Sequence, residues 1–240
     1  MPKHGKKYEA AAAKVDAEKL YGADEAIALL KEISTANFDE TVEIHARLGI
    51  DPRQADQTVR STVVLPGGTG KTVRVLVFAQ GEAERVARDA GADYVGSDDL
   101  VQQINGGWLE FDAAVAMADQ MGKVGGLGRI LGRRGLMPNP RSGTVVRDAA
   151  DLPGVLTELK GGRVEFRNDR LGNVHLGIGK KSFTEEQIRS NLYAFVDALN
   201  RAKPSGAKGV YLRTLTLASS MSPGVALDVP AVVAASASAA

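Results

Sequence analysis

A short, almost uninterrupted apolar segment near the middle of the chain constrains the fold more than any other feature. The run Val73-Arg-Val-Leu-Val-Phe-Ala79 is typical of a strand that is buried on both faces. Helical patterns at about 81–90 and 98–105, and strand patterns at 92–95 and 111–117, follow it. Because strands alternate with helices, this part of the chain predicts a parallel sheet within a three-layer α/β domain.

Both ends of the chain have a different pattern, in which apolar and polar residues alternate. This alternation predicts half-buried strands. They are expected at residues 42–50, 59–65, 162–166, 173–178 and 211–219. The turn at 168–172 predicts that the two strands beside it pair with each other.

Two helices are predicted among these strands. The first runs from about 24 to 32, with Asp24 in position to cap its N-terminus. The second begins at the capping box Thr184-Glu-Glu-Gln187 and continues to about Arg201. An apolar stripe along this second helix predicts the face that packs on the core. The stripe consists of Ile188, Leu192, Phe195, Val196 and Leu199.

Since neither end has many strands, the two ends are predicted to form one α+β domain from residues 1–66 and 160–228. The α/β domain, residues 67–159, is then an insertion, which folds tolerate because domain termini tend to lie close together. The low-complexity tail, residues 229–240, is predicted to be disordered.

Composition limits the class of function. The 240 residues carry a formal net charge of +1 and contain no cysteine, which excludes disulfides and thiolate metal sites. The three histidines lack metal-ligand spacing, so no metal site is predicted. No apolar run reaches about 18 residues, so no membrane contact is expected. Acids and hydroxyl residues are spread as on a solvated surface, without a catalytic set.

Positive charge is concentrated between Lys123 and Arg147, where six basic residues occur without an acidic one. Glycines in this segment let backbone approach an anion closely, and guanidinium groups suit phosphate. A nucleic-acid backbone is therefore the first candidate ligand. The segment is predicted to be an accessory basic loop. Its candidate contact residues are Arg129, Arg133, Arg134, Asn139 and Arg141.

A second basic group surrounds the turn at 168–172. It consists of Arg163, Arg167, Arg170, Lys180 and Lys181. Such residues contact phosphate and ribose hydroxyls at a strand edge, and equally form an ordinary charged hairpin. The segment 218–224 offers hydroxyl groups and a methionine. By pattern alone, Met221 and Phe38 are predicted to be buried core residues.

The segment Gly67-Gly-Thr-Gly-Lys-Thr72 is similar to a phosphate-binding loop. It makes a nucleotide-binding enzyme, using the inserted domain, the alternative function. However, Leu65 stands where the loop requires its first glycine, and Lys71 leads into a predicted strand instead of a helix. A glycine linker between domains fits this pattern better. A protein scaffold that binds no RNA is a third alternative.

Several separate motifs occur in an order that resembles the L1 family of ribosomal proteins. They include LGRRGLMPNPRSGTV at 131–145, GRVEFRND at 162–169 and KPSGAKGVY at 203–211. The likeness covers roughly residues 3–228. It implies a two-domain fold in which a discontinuous α+β domain carries an inserted, Rossmann-like, three-layer α/β domain. It also implies a protein without enzymatic activity or cofactor.

The resemblance implies binding to the mobile stalk of large-subunit rRNA beside the tRNA exit site. It further implies assistance in the release of deacylated tRNA and repression of the protein's own operon mRNA. The implied partners are the rRNA stalk, exit-site tRNA, this mRNA and other ribosomal components. The protein is expected in the cytoplasm, in the large ribosomal subunit, and as a monomer when free.

The rRNA and mRNA contacts implied by the resemblance concentrate on the discontinuous domain. They fall on Phe38, Thr41, Arg163, Arg167, Asn168, Asp169, Lys180, Ser219, Ser220, Met221, Ser222 and Pro223. The resemblance therefore favours exposure of Met221 and Phe38, against the pattern. Two positions depart from the family, because Arg133 replaces a usual proline and Ser222 replaces a usual glycine. A side chain at Ser222 is expected to crowd a close approach of RNA.

Overall fold

The computed structural model describes residues 5–239, which form two compact units. The first unit contains the residues up to Gly70 and those from Val164, and the second runs from Lys71 to Arg163. The predicted fold class is confirmed, because a discontinuous α+β unit carries an inserted three-layer α/β unit. Within residues 5–239, no helix is long and apolar enough to cross a membrane.

The helices and strands have the following bounds. The helices are α1 (Lys6–Ala12), α2 (Ala23–Ile33), α3 (Glu82–Asp89), α4 (Asp98–Asn105), α5 (Met121–Val124), α6 (Gly128–Arg134), α7 (Leu152–Lys160), α8 (Glu185–Arg201) and α9 (Val229–Ala239). The strands are β1 (Thr41–Leu48), β2 (Arg60–Val64), β3 (Val75–Phe78), β4 (Tyr94–Gly96), β5 (Ala113–Met117), β6 (Val145–Val146), β7 (Arg163–Arg167), β8 (Asn173–Lys180), β9 (Leu212–Ser219) and β10 (Val225–Leu227).

An antiparallel sheet in the order β10-β9-β1-β8 forms the centre of the discontinuous unit. In β1, every second residue from Val42 to Leu48 is buried, so one face of the sheet packs on the core. Helices α2 and α8 cover that face, and the predicted apolar stripe of α8 is buried. The predicted capping box is confirmed: the Gln187 N–H donates to Thr184 Oγ1 (3.2 Å), and the Thr184 N–H donates to Gln187 Oε1 (2.9 Å).

Two predictions for local structure in this unit are wrong. Strand β7 pairs with β2 and not with β8. Within residues 5–239, a single bridge between Asn168 and Val174 joins the residue that follows β7 to β8. The cause is a long-range interaction, since the Val59 N–H donates to Asn168 Oδ1 (2.7 Å) and the Asn168 N–H donates to the Val59 carbonyl (3.0 Å). At α2, Gly22 is the N-cap and Asp24 lies in the first turn, where it pairs with Arg189 (2.9 Å).

The tail from residue 229 is helical, contrary to the predicted disorder. Residues Val229–Ala239 form α9, which packs along α8. The alanines favour a helix, and Val232 is buried in the main core of the unit. The low-complexity composition therefore belongs to a helix of small residues, which is stabilised by its packing on the core.

The inserted unit contains a parallel sheet in the order β4-β3-β5-β6. Alternate residues of β3 enter two separate apolar clusters, one on each side of the sheet. Helices α3 and α7 contribute to the first cluster, and α4 and α6 contribute to the second. The prediction of a strand buried on both faces of a three-layer domain is confirmed.

Candidate nucleic-acid interface

The antiparallel sheet of the discontinuous unit has one face that points away from the core. This face carries polar side chains in cross-strand rows. His45 lies between His175 on β8 and Thr216 on β9. In the next row Arg47 lies between Asn173 and Thr214. Such a face offers hydroxyl, amide, imidazole and guanidinium groups to a folded RNA, which proteins read mainly by shape, phosphates and 2′-hydroxyls.

A buried carboxylate organises one end of this sheet. Glu40 precedes β1 and is fully buried. Its Oε1 accepts from the Ala36 N–H (2.8 Å), and its Oε2 accepts from Ser219 Oγ (2.6 Å) and from the Met221 N–H (3.0 Å). One side chain therefore ties the segment before β1 to the end of β9 and the loop that follows it.

The ionised form of Glu40 is the stable one. Burial alone would raise the pKa of this carboxyl, but the hydrogen bonds from Ser219, Ala36 and Met221, with the nearby charge of Lys181, lower it below its ordinary value. Neighbouring groups extend the network: Ser34 Oγ donates to Ser219 Oγ (2.9 Å), and Lys181 Nζ donates to the Ser34 carbonyl. A buried charge with these partners holds the backbone after β9 in one position.

Because the loop after β9 is held by its backbone, its methionine side chain points to solvent. Met221 is 62 % exposed, and Phe38, on the segment that leads to Glu40, is 55 % exposed. The prediction from pattern alone, that both are core residues, is therefore wrong. Large exposed apolar side chains on a rigid segment are typical of binding surfaces.

Lysine and hydroxyl groups lie at the same end of the sheet. Thr41 pairs with Lys180 across the strands, and Lys180 Nζ donates to Thr41 Oγ1 (2.9 Å). The Thr41 N–H donates to Ser220 Oγ (3.2 Å). The structure thus brings together the predicted residues of three segments, here called the β9 end: Phe38, Thr41, Lys180 and Ser219–Pro223.

The remaining predicted residues of this unit do not lie at the β9 end. Asn168 and Asp169 precede the start of β8, whereas Lys180 ends it, and eight strand residues span about 24 Å. Asp169 Oδ1 accepts from the N–H groups of Leu171 (2.8 Å) and Asn173 (2.7 Å), so it builds the turn. Burial alone would raise the pKa of Asp169, but these bonds and the charge of His175 lower it.

The two arginines of β7 differ in their availability. Arg167 is exposed. Arg163 donates to Glu158 Oε2 (2.6 Å), and only 17 % of its side chain is exposed. Of the pair, Arg167 is the residue whose guanidinium is presented to solvent.

The predicted accessory basic loop is largely helical, which corrects that prediction. Arg129, Arg133 and Arg134 lie on α6, which ends at Gly135 with a positive φ of 72°. Asn139 Oδ1 accepts from the Arg141 N–H (2.8 Å) and caps a 3₁₀ turn, so its side chain shapes the backbone. The four arginines are exposed, and none of them forms an ion pair with another residue in the range 5–239.

Two observations oppose the nucleotide-binding alternative. The glycine segment leads into β3, and the Gly67 N–H donates to Asn191 Oδ1 (2.8 Å), so this N–H is already used within the fold. The helix that follows β3 carries Glu82 and Glu84 in its first turn. A nucleotide phosphate in this fold would occupy that helix N-terminus, and these acids would repel it.

Comparison with known proteins agrees with the L1-like motifs and fold. A family model described as the ribosomal protein L1p/L10e family matches residues 30–223. The chain belongs to this family. It is a ribosomal protein and not an enzyme, since the family is one of structural proteins of the ribosome.

Relatives in the L1p/L10e family match almost the whole chain. The large ribosomal subunit protein uL1 of Thermomicrobium roseum is 65 % identical, over 95 % of this chain and 95 % of its own. Proteins of the same name from Chloroflexus aurantiacus and Thermus thermophilus are 62 % and 53 % identical, each over 95 % of this chain. They are covered over 96 % and 99 % of their own lengths.

Ser222, the position at which the resemblance implies a glycine, has a clear role in the loop. Ser222 Oγ accepts from the Ser219 N–H (2.9 Å) and donates to the Pro223 carbonyl (3.0 Å). The Ser222 N–H donates to the Ser219 carbonyl (3.2 Å). The side chain therefore folds back and closes the turn that presents Met221.

Several residues of this candidate surface were not predicted from the sequence. The sequence could have indicated Arg47 and His175, because each lies between apolar residues of an alternating strand, and such a position predicts an exposed side chain. Nothing in the sequence indicated the role of Glu40, since an acidic residue ahead of a strand is most often solvated. Its partners come from Ala36, Ser219 and Met221, and the last two are distant in sequence.

Proposed function

We propose that this protein is a structural and regulatory RNA-binding protein of the large ribosomal subunit. It binds the mobile rRNA stalk next to the tRNA exit site and assists the release of deacylated tRNA. It also represses translation of its own operon mRNA, which offers a similar RNA fold. It acts in the cytoplasm among other ribosomal components and is monomeric when free.

The observation that carries this proposal is the β9 end. Met221 and Phe38 are exposed there beside Lys180, on segments fixed by Glu40 and by the strand ends. An apolar side chain covers a ribose or base, while an ammonium group neutralises phosphate. A rigid surface of this kind selects a folded RNA, because only a matching shape contacts all of it.

Repression follows from use of the same surface. An mRNA segment that imitates the stalk competes with rRNA for the β9 end, so repression begins when free protein exceeds the available rRNA. Exit-site tRNA is recognised differently from the stalk RNA, because contacts to the tRNA sugar-phosphate backbone are sufficient. The α6 arginines Arg129, Arg133 and Arg134 supply such sequence-independent contacts, both to tRNA and to the backbone of the stalk RNA.

Equilibrium binding to a large-subunit RNA fragment that contains the stalk tests this function. Saturable binding, with chemical footprints on the stalk and weaker binding to a scrambled RNA of equal length, is expected. Equal affinity for both RNAs would contradict the proposal. Labelled ATP, GTP and NAD test the enzymatic alternative, which requires saturable binding that is lost when Lys71 is replaced.

Replacing the three α6 arginines with alanine is expected to weaken stalk-RNA binding and to make this binding less dependent on salt concentration. If each arginine contacts one phosphate, the slope of log K against log salt becomes shallower by about 2. Alanine preserves the helix. Binding measured between low and physiological salt supplies this slope.

A matched variant controls for net charge. Arg88, Arg189 and Arg201 each form an ion pair, and their replacement by alanine removes the same number of positive charges. This control variant should keep the wild-type slope. Equal slope changes in both variants would show that net charge, and not the α6 surface, is responsible.

A further inference from the structure

Two histidines form a hydrogen-bonded pair in the middle of the open sheet face. His45 Nδ1 and His175 Nδ1 are 2.8 Å apart, and the two rings meet edge-on with centroids 5.0 Å apart. The side chains are 33 % and 53 % exposed, so both can be reached by a ligand on this face. Neither residue is needed to fill the core.

Carboxylates lie at both outer ends of the pair. Glu43 Oε2 is 3.9 Å from His45 Nε2, and Asp169 Oδ2 is 3.7 Å from His175 Nε2. On the adjacent strand β9 the facing residue is the uncharged Thr216. Arg47, two residues along β1, donates to Asn173 Oδ1 (3.2 Å) and adds positive charge to the same face.

The number of protons on the pair determines what it can bind. A hydrogen bond between two Nδ1 atoms needs one donor and one acceptor. The pair can take one proton at an Nε2 and keep this bond, since the outer carboxylates favour that charge. Once both Nδ1 atoms are protonated, they are two donors that point at the same space.

In the free protein this last state is disfavoured. Burial, and next the charge of His175, lower the pKa of His45 below its ordinary value, while Glu43 acts in the opposite direction. A metal ion does not fit the arrangement, because among residues 5–239 no group of three or more His, Cys, Asp or Glu is placed to hold one. An oxyanion is the ligand that two converging N–H donors require.

We propose that His45 and His175 form a proton-linked phosphate site, in which one RNA phosphate oxygen accepts from both Nδ1–H groups. The inference rests on the proposed RNA-binding function and adds a contact in the centre of its surface. Binding breaks the Nδ1–Nδ1 bond and takes up a proton from solvent. RNA affinity therefore depends on pH.

The sign follows from linkage between proton and RNA binding. Because phosphate stabilises the protonated pair, the imidazole pKa values rise in the complex, and affinity increases as pH falls from 8 to 6. Uptake of one proton permits at most about a tenfold change in affinity per pH unit. An increase of about fivefold from pH 8 to pH 6, well below this limit, is expected.

The test compares the wild type with the double variant H45N/H175N on the stalk-RNA fragment at pH 8, 7 and 6 and constant salt. Asparagine keeps a polar side chain but does not titrate. The double variant also loses polar groups of the surface, so the two proteins are compared by the ratio of their affinities at pH 6 and pH 8. This ratio should be about five for the wild type and about one for the double variant. Titration of the RNA itself cancels in this comparison. Thr216→Val, which leaves the pair intact, should keep the wild-type ratio of affinities at pH 6 and pH 8.

A second measurement needs no variant. Imidazole resonances of the free and RNA-bound wild type, followed by NMR against pH, should show a rise of the histidine pKa values on binding. Unchanged values, or the same pH dependence of affinity in the wild type and the double variant, would overturn the phosphate site. Failure of the wild type to bind stalk RNA at pH 8 would instead refute the proposed function.

Discussion

Replacing Met221 with aspartate is expected to lower the affinity for stalk RNA about a hundredfold. The side chain is exposed in the free protein and, in the proposed complex, is covered by RNA, so its loss removes an apolar contact. The new carboxylate would also face RNA phosphates without a partner. Loss of such an interface residue costs about 2–3 kcal/mol, which corresponds to this fold-change. Titration with labelled RNA at fixed salt measures it.

The fold should tolerate this change, because Met221 contributes its backbone N–H and not its side chain to the Glu40 network. Leu20→Asp is a matched control. Leu20 is 61 % exposed, and it lies away from the β9 end. It precedes α2, whereas Ser34, which contacts Ser219, follows the opposite end of that helix. The control should bind as wild type. Undiminished binding of the Met221 variant would remove this loop from the interface.

Much of the architecture could be predicted from the sequence because it depends on local patterns. The buried run at Val73–Ala79, the alternation in β1 and the capping box at Thr184 each act over a few residues. Each pattern reports which side of an element is buried. The inserted parallel domain and the strands of the discontinuous domain follow from such signals.

Strand pairing and the helix in the basic segment could not be predicted in this way. Strand β7 leaves its neighbour in sequence because Asn168 bonds to Val59, more than a hundred positions away. Similarly, α6 contains two glycines, which locally disfavour a helix, yet Leu131 is buried against the inserted sheet and stabilises it. In both cases a tertiary contact outweighs the local preference.

For the candidate site, too, some features could be predicted from the sequence and others depend on tertiary contacts. Motif resemblance pointed to Met221, Phe38 and Lys180, which the fold places at one end of the sheet. It gave no information on why they are presented there. That depends on Glu40, whose burial as a charge would be unfavourable without its three donors, two of which are distant in the sequence.

Glu40→Gln is expected to reduce both stability and RNA affinity. Glutamine has the same shape but only one acceptor oxygen. Its NH₂ group would therefore face either the Ala36 N–H or the Met221 N–H and leave a buried donor unpaired. The free energy of unfolding should fall by about 1–3 kcal/mol. Because the loop loses its anchor, stalk-RNA affinity should fall about tenfold. Urea unfolding and RNA titration measure the two effects separately.

The pH dependence of stability gives a second signature of this carboxylate. Its pKa is lowered in the fold, so its contribution to stability is present above the unfolded value of about 4.3 and is lost as pH falls through the folded value. The glutamine variant lacks this contribution at every pH. Its stability should therefore decline less than that of the wild type over the same acid range.

Asp39→Asn is the matched control, since Asp39 is the adjacent carboxylate but is exposed, and among residues 5–239 its carboxylate bonds only to Ser182. This variant should retain nearly all stability and binding. A double-mutant cycle then separates positioning from general destabilisation. If Glu40 acts by holding the loop, Glu40→Gln should cost far less RNA affinity in a Met221→Ala background than in the wild type. Additive losses would mean that Glu40 supports the fold without presenting Met221 to RNA.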